Sequence, residues 1–243
     1  MMMKCQFIFY LIIFLLCSVI LSHAQYKLGE FTLEGDLYTW YDSAVALENT
    51  VLLRGELFTF TRKSPKSHAF YKVKSWRPID LVYFGQEFHD VPALYDLEED
   101  RLIIKNPLDI TAPIELIKNQ VSFFDIGGEH FEYISNKVGY RTKEYYHIIY
   151  RGDQLDLLYK IEKKLVINSG VLVYEENYAP LLKVGGTYEE IIRFSELKKL
   201  FPAYKKELKL FKKSIGLSGR LDTREKQKLF GRLVEYCDQL IQP

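Results

Sequence analysis

Cysteine is almost absent, with three residues in 243, and two of these, Cys5 and Cys17, fall in an apolar leader. Without that leader Cys237 is the only thiol, which excludes an internal disulfide and a Cys/His zinc quartet. Histidine is nearly as scarce. Beyond the leader His68, His89, His130 and His147 never recur at the four-residue step of a helical metal pair. Also missing are a G-x-S-x-G elbow, a phosphate loop and a dinucleotide fingerprint. The pairs Gly127-Gly128 and Gly185-Gly186 lack the third glycine and the strand-to-helix setting that would give them that meaning. No metal and no cofactor is expected. Charge of one sign does not dominate either, the net being +1, and no nucleic-acid partner is expected. Beyond the leader no second long apolar stretch occurs, so the rest reads as a soluble chain.

The leader itself is informative. Lys4 precedes an apolar run over residues 7–21, and Ser22-His23-Ala24 follows, with polar sequence starting at once. A positive start, a hydrophobic centre and small residues at Ser22 and Ala24 predict a secretory signal cut after Ala24. The competing reading is an uncleaved anchor, since the run approaches the ~17–25 residues of a spanning helix. Leu16 is too bulky to precede a lipidated Cys17. The expected organisation is a signal peptide over 1–24, a β-rich domain over 25–194, and a helical tail over 195–243 packed on it. The expected location is the periplasm or the cell surface.

From residue 25 to 194 tyrosine, phenylalanine, valine and isoleucine are dense and often alternate. Residues 102–104, 115–117, 121–124, 145–150 and 155–161 read as strands, separated by turn signals such as Asn106-Pro107, Gly127-Gly128 and Ser169-Gly170. A glycine precedes an aromatic by three residues at Gly35/Tyr38, Gly55/Phe58, Gly85/Phe88, Gly128/Phe131 and Gly185/Tyr188. Glycine supplies the positive φ of a tight hairpin turn, and the aromatic begins the return strand. The spacings are too uneven for a propeller or solenoid. The predicted fold is mainly β, an antiparallel meander forming a barrel or sandwich, with a C-terminal amphipathic α-helical segment.

The texture then changes. Ser195 can cap a short helix, Pro202 interrupts it and restarts a second, and Asp222 with Glu225 resembles a capping box for a third. Leu197, Leu200, Phe201, Tyr204, Leu208, Phe211 and Ile215 recur at helical steps. Leu229, Phe230, Leu233, Val234, Cys237, Leu240 and Ile241 do the same, which places Cys237 on the buried side. Residues 25–194 hold 20 basic and 26 acidic side chains, whereas residues 195–243 hold 12 and 6. The basic surface of Lys205, Lys206, Lys209, Lys212 and Lys213 could meet anionic lipid, a glycan or an acidic envelope protein, dock on the acidic body, or simply face water.

Candidate chemistry is thin. His130 and Glu132 share a strand face and read as a surface ion pair near a turn. His89 and Asp90 point to opposite faces of a strand. Asp96, Glu98, Glu99 and Asp100 read as a solvated turn without the apolar setting that separates catalytic carboxylates. Tyr38, Trp40 and Tyr41 form an aromatic cluster suited to ligand contact, as on a sugar ring, or to core packing.

The segments Leu53-Arg-Gly-Glu-Leu-Phe58 and Val82-Tyr-Phe-Gly85-Gln-Glu-Phe88-His-Asp-Val91-Pro92-Ala-Leu-Tyr95-Asp96-Leu-Glu-Glu-Asp-Arg-Leu-Ile-Ile104, with the tail from Leu200-Phe-Pro202 through the lysine-rich helix to Val234-Glu-Tyr236, carry a resemblance. The chain resembles exported β-rich proteins of unknown function common in Bacteroidetes. The resemblance implies export, a β-rich body and a helical end, and it transfers no active site. The function expected is that of an exported envelope protein, a non-catalytic binding or structural module. The alternatives are a β-barrel carrier of an apolar ligand and a carboxylate-based hydrolase.

Overall fold

Alternating side chains and turn glycines build one antiparallel sheet in the computed structural model, which describes residues 50–61, 63–108, 111–135, 143–190, 194–218 and 222–241. All of these belong to a single unit spanning residues 42–243. The expected signal peptide, Gly35, Tyr38, Trp40 and Tyr41 lie outside the described residues. The strands are β1 (Gly55–Leu57), β2 (Arg77–Tyr83), β3 (Gln86–Asp96), β4 (Arg101–Ile104), β5 (Ile114–Leu116) and β6 (Val121–Ile126). They continue with β7 (Glu129–Ile134), β8 (Glu144–Arg151), β9 (Leu155–Asn168), β10 (Val171–Val184) and β11 (Thr187–Glu190). Three helices follow: α1 (Phe194–Leu200), α2 (Lys205–Ser214) and α3 (Thr223–Ile241).

The spatial order is β1-β5-β4-β3-β2-β6-β7-β8-β9-β10-β11. From β2 to β5 the chain meanders one way, β6 returns to the free side of β2, and the meander resumes to β11. The fold is therefore mainly antiparallel β with a helical C-terminal segment, and the sheet is open, with β1 and β11 at its two ends. It nevertheless curls. The Lys163 amide on β9 donates to the Leu97 carbonyl just past β3, at 3.0 Å, with β2, β6, β7 and β8 lying between those strands in the order.

Inside the curl the rings of Tyr95, Phe124, Phe131 and Tyr145 meet at centroid distances of 5.1 to 5.9 Å, mostly edge to face. Aromatic quadrupoles favour that arrangement over a face-to-face sandwich. The helices join the same core through Leu197, Leu208, Phe230, Leu233, Val234 and Cys237. Burial pushes the Cys237 thiol up to about 12, so it is a packing group without nucleophilic character.

The glycine–aromatic pairs divide. Gly85, Gly128 and Gly185 occupy hairpin turns at positive φ, and Phe88, Phe131 and Tyr188 begin or follow into the return strands. Gly55 corrects the pattern. It lies in β1 itself, where a Cβ would run into the Glu115 carbonyl and approach the Ile114 methyl to 2.6 Å. Close approach of β5, and no turn, requires glycine there. In the tail, Ser195 lies inside α1 and not at its cap. Pro202 opens a one-turn 3-10 segment before α2. The Glu225 amide donates to the Asp222 carboxylate at 3.0 Å, the first half of the expected capping box.

Candidate functional site

After β1 the alternation Phe58-Thr59-Phe60-Thr61 continues the extended chain, and the Phe58 amide donates to the Pro113 carbonyl at 2.8 Å. The chain then crosses to the far end of the sheet. The Ser64 hydroxyl donates to the Leu172 carbonyl at 2.6 Å, and the Ser67 hydroxyl accepts from the Tyr174 amide at 2.7 Å. Both hydroxyls thereby occupy an edge of β10. Further on, Phe70 bridges Asp96, the Tyr71 amide donates to the Tyr95 carbonyl, and the Lys163 ammonium caps the Phe70 carbonyl at 2.7 Å. A segment with little secondary structure of its own is thus fixed by bonds to β3, β9 and β10.

Beneath this segment lies a groove of 570 Å³. Phe60 is 47% exposed and stands edge-on to Phe58, Phe70 and Trp76, with ring centres 5.1, 6.0 and 6.2 Å apart. Two carboxylates line the groove, and each is already bonded. Asp96 meets Arg101 at 3.3 Å, and Glu98 meets Lys63 at 3.0 Å and accepts from the Tyr174 hydroxyl at 2.8 Å. The Arg101 guanidinium also lies 5.1 Å over the Phe58 ring. Lys66 and Lys74 line the same groove and have no carboxylate partner among the described residues. Its free charge is therefore positive beside exposed aromatic surface.

A second surface comes from α2. Leu208 on its inner side is fully buried, and Tyr204, Phe211 and Ile215 pack on the core beside it. The outer side carries Lys206, Lys209, Leu210 and Lys213, at the steps that align residues along one helix face. All four are exposed, Leu210 to 70%. Lys205 is exposed as well, and Lys212 instead covers the Phe194 ring at 4.8 Å. None of these five lysines meets a carboxylate among the described residues, so the basic face is not docked on the acidic body there.

Three of the histidines serve the sheet. His130 bonds Asp125 at 2.7 Å across the β6–β7 pair and Glu132 at 3.1 Å along its own strand, and Arg151 closes on Glu132 with two bonds of 2.7 and 2.8 Å. His89 turns from Asp90 to Asp80, 3.3 Å away. His147 stacks on Phe131 and bonds Glu129 at 2.9 Å, and Glu129 also receives Lys72 and, from α3, Arg224. Burial pushes the His147 imidazole down, further than the Glu129 carboxylate raises it, so the ring is neutral near neutral pH. With Nε2 facing Glu129, the proton belongs on Nε2.

The acidic turn is where sequence reasoning fails. Asp100 is buried, and so is its partner Lys160, at 2.7 Å. The Tyr95 hydroxyl donates to the same carboxylate at 2.5 Å, and the Lys118 ammonium and the Tyr145 amide donate to its second oxygen at 3.0 and 3.1 Å. Burial pushes the Asp100 carboxyl up, but Lys160 and Lys118 with these donors outweigh it, so its pKa lies below the usual value. With every bond spent internally, this network ties the β3–β4 turn to β8 and β9.

Of the sequence-predicted site residues, the structure brings Lys206, Lys209 and Lys213 into one stripe and separates Lys212 from it. The groove was missed. Its available signal was the Phe-Thr-Phe-Thr alternation running directly into a basic segment, Arg62-Lys63 and Lys66. Comparison with family models, curated proteins and solved structures finds no match to the chain.

Proposed function

We propose that the chain is an exported, non-catalytic binding module of the cell envelope, held against an anionic membrane surface by the outer face of α2. The observation that carries this reading is the stripe of Lys206, Lys209, Leu210 and Lys213, exposed and without acidic partners among the described residues. A helix lying in a membrane interface combines these parts: cationic heads for the lipid phosphates and an apolar side chain to enter the headgroup layer. Among the described residues no helix is long and apolar enough to cross a membrane, so attachment through α2 would be peripheral. The aromatic filling of the curl favours binding at the surface over a ligand carried inside the sheet.

Sedimentation with vesicles separates the outcomes. The protein is expected to bind vesicles containing phosphatidylglycerol in low salt, to leave pure phosphatidylcholine unbound, and to be released by high salt. A basic side chain near such a surface contributes about 1 kcal/mol, so the combined replacement of Lys206, Lys209 and Lys213 by glutamine should weaken binding roughly a hundredfold. Unchanged sedimentation of that variant rejects the reading. Export has its own measurement, the amino-terminal residue of the protein recovered from its host. Gln25 is the expected first residue, and an intact Met1 start would contradict cleavage.

A further inference from the structure

We propose that the groove beneath Phe60 is a binding site for a small aromatic anion, a molecule with an aryl ring and one carboxylate or sulfonate. The inference goes beyond membrane attachment, since it uses none of α2. Three independent properties of the groove select this class. Its 570 Å³ lies within the range of small-molecule sites, roughly 300–1,000 Å³, and well below what a folded partner would need.

Its charge selects the sign. Asp96 and Glu98 are held by Arg101 and Lys63, so an incoming cation would have to break existing ion pairs. Lys66 and Lys74 have no such pairs among the described residues, so an incoming anion could take either ammonium as a donor without breaking one there. The Arg101 fork is spent on Asp96 and Glu115 and on the face of Phe58, which leaves two separate point charges. Separate ammoniums suit one compact anionic group and do not require a planar bidentate partner.

Its walls select the body. Phe60 is half exposed and lines the groove beside Phe58 and Phe70, so part of its surface is open to an incoming ring. A ligand ring covering Phe60 would remove apolar surface from water and add the offset or edge contact that aromatic pairs favour. The site is also preformed. Ser64 and Ser67 fix residues 64–67 on β10 and Lys163 holds the Phe70 carbonyl, so little ordering of that wall would accompany binding.

Calorimetric titration of the whole chain with 2-naphthoate, and with 2-naphthamide as its uncharged counterpart, tests both halves of the claim. Naphthoate is expected to bind saturably at one site, and the amide at least about tenfold more weakly, the size of a charge-assisted bond. Phe60→Ala should weaken both compounds by about tenfold, from the lost ring contact. Lys66→Gln with Lys74→Gln should abolish the preference for the carboxylate while leaving amide binding unchanged. These three side chains are exposed, and an unaltered circular dichroism spectrum would show each variant folded. Absence of saturable naphthoate binding, equal affinity for the amide, or undiminished binding by Phe60→Ala would each overturn the proposal.

Discussion

Replacing Asp100 by asparagine is expected to lower the unfolding free energy by about 3–5 kcal/mol, the usual effect of removing one partner from a buried ion pair. The substitution isolates charge from backbone. Asp100 has a φ of 56°, a left-handed conformation that asparagine tolerates and alanine does not. The loss falls on Lys160, 2% exposed, which keeps the Tyr145 carbonyl at 3.2 Å, Glu144 at 3.8 Å and the Tyr146 ring at 5.8 Å. Removing the stranded charge as well, in Asp100→Asn with Lys160→Met, should restore a large part of the lost stability, because methionine leaves no buried ammonium without its counter-charge. Urea unfolding of the four proteins measures this coupling. A double variant no more stable than Asp100→Asn alone would show that the pair has no special role.

The same carboxylate predicts a pH dependence. Its pKa in the folded protein is below the ordinary 3.8, so the unfolded chain binds the proton more readily. Its contribution is fully present above that ordinary value and is lost as pH falls through the lower, folded one. Asp100→Asn should therefore flatten the most acidic limb of the stability profile. His147 acts at higher pH with the same sign. Its imidazole lies below the ordinary 6.5 when folded, so acidification below that value favours the unfolded state.

The second large effect is expected at Asp238, which fixes α3 to the sheet. One carboxylate oxygen accepts from the Gln154 and Leu155 amides at 3.0 and 2.8 Å, and the other accepts from the Asp153 amide at 3.1 Å and the Tyr150 hydroxyl at 3.0 Å. The β8–β9 turn is wrapped around one side chain that is 1% exposed. Gly152 completes the fit. A Cβ there would overlap the carboxylate and stand 2.6 Å from the Tyr150 hydroxyl. Burial together with Asp238 pushes that hydroxyl up to about 12, which keeps it protonated as a donor.

Asp238→Ala leaves three amides of the turn without their acceptor, at a cost of about 3 kcal/mol or more. For a unit of this size that is a fall in Tm of roughly 6–12 °C. Hydrogen exchange should locate the damage, with α3 and the 152–155 turn losing protection before β2–β6. A fall confined to global stability, with α3 no more exposed than the rest, would mean that the clamp does not hold the helix.

Both sites show where the sequence was readable. Asp238 stands within the apolar stripe of Leu233, Val234, Cys237 and Ile241, and Lys160 within the apolar run of β9. A charge out of place on a buried face was visible in each case. Its partner was not, since Asp100 lies 60 positions from Lys160, and the 152–155 turn more than 80 from Asp238. The solvated reading of the acidic turn held at the exposed Glu99 and failed at the buried Asp96 and Asp100 for the same reason. Nothing within the turn reveals that the curl brings β8 and β9 onto it.

By itself the sequence determined the strands at 102–104, 121–124, 145–150 and 155–161, the glycine hairpins at Gly85, Gly128 and Gly185, the amphipathic helices and the buried Cys237. Each follows from side-chain alternation, φ preference or helical period, constraints acting over two to four residues. Only the tertiary structure decided that β6 returns to β2, that the sheet stays open yet curls until Lys163 reaches Leu97, and that Phe60, Lys66 and Lys74 share one groove. Those outcomes depend on which distant surfaces meet, and that is set by the packing of the whole core, which no short window of residues contains.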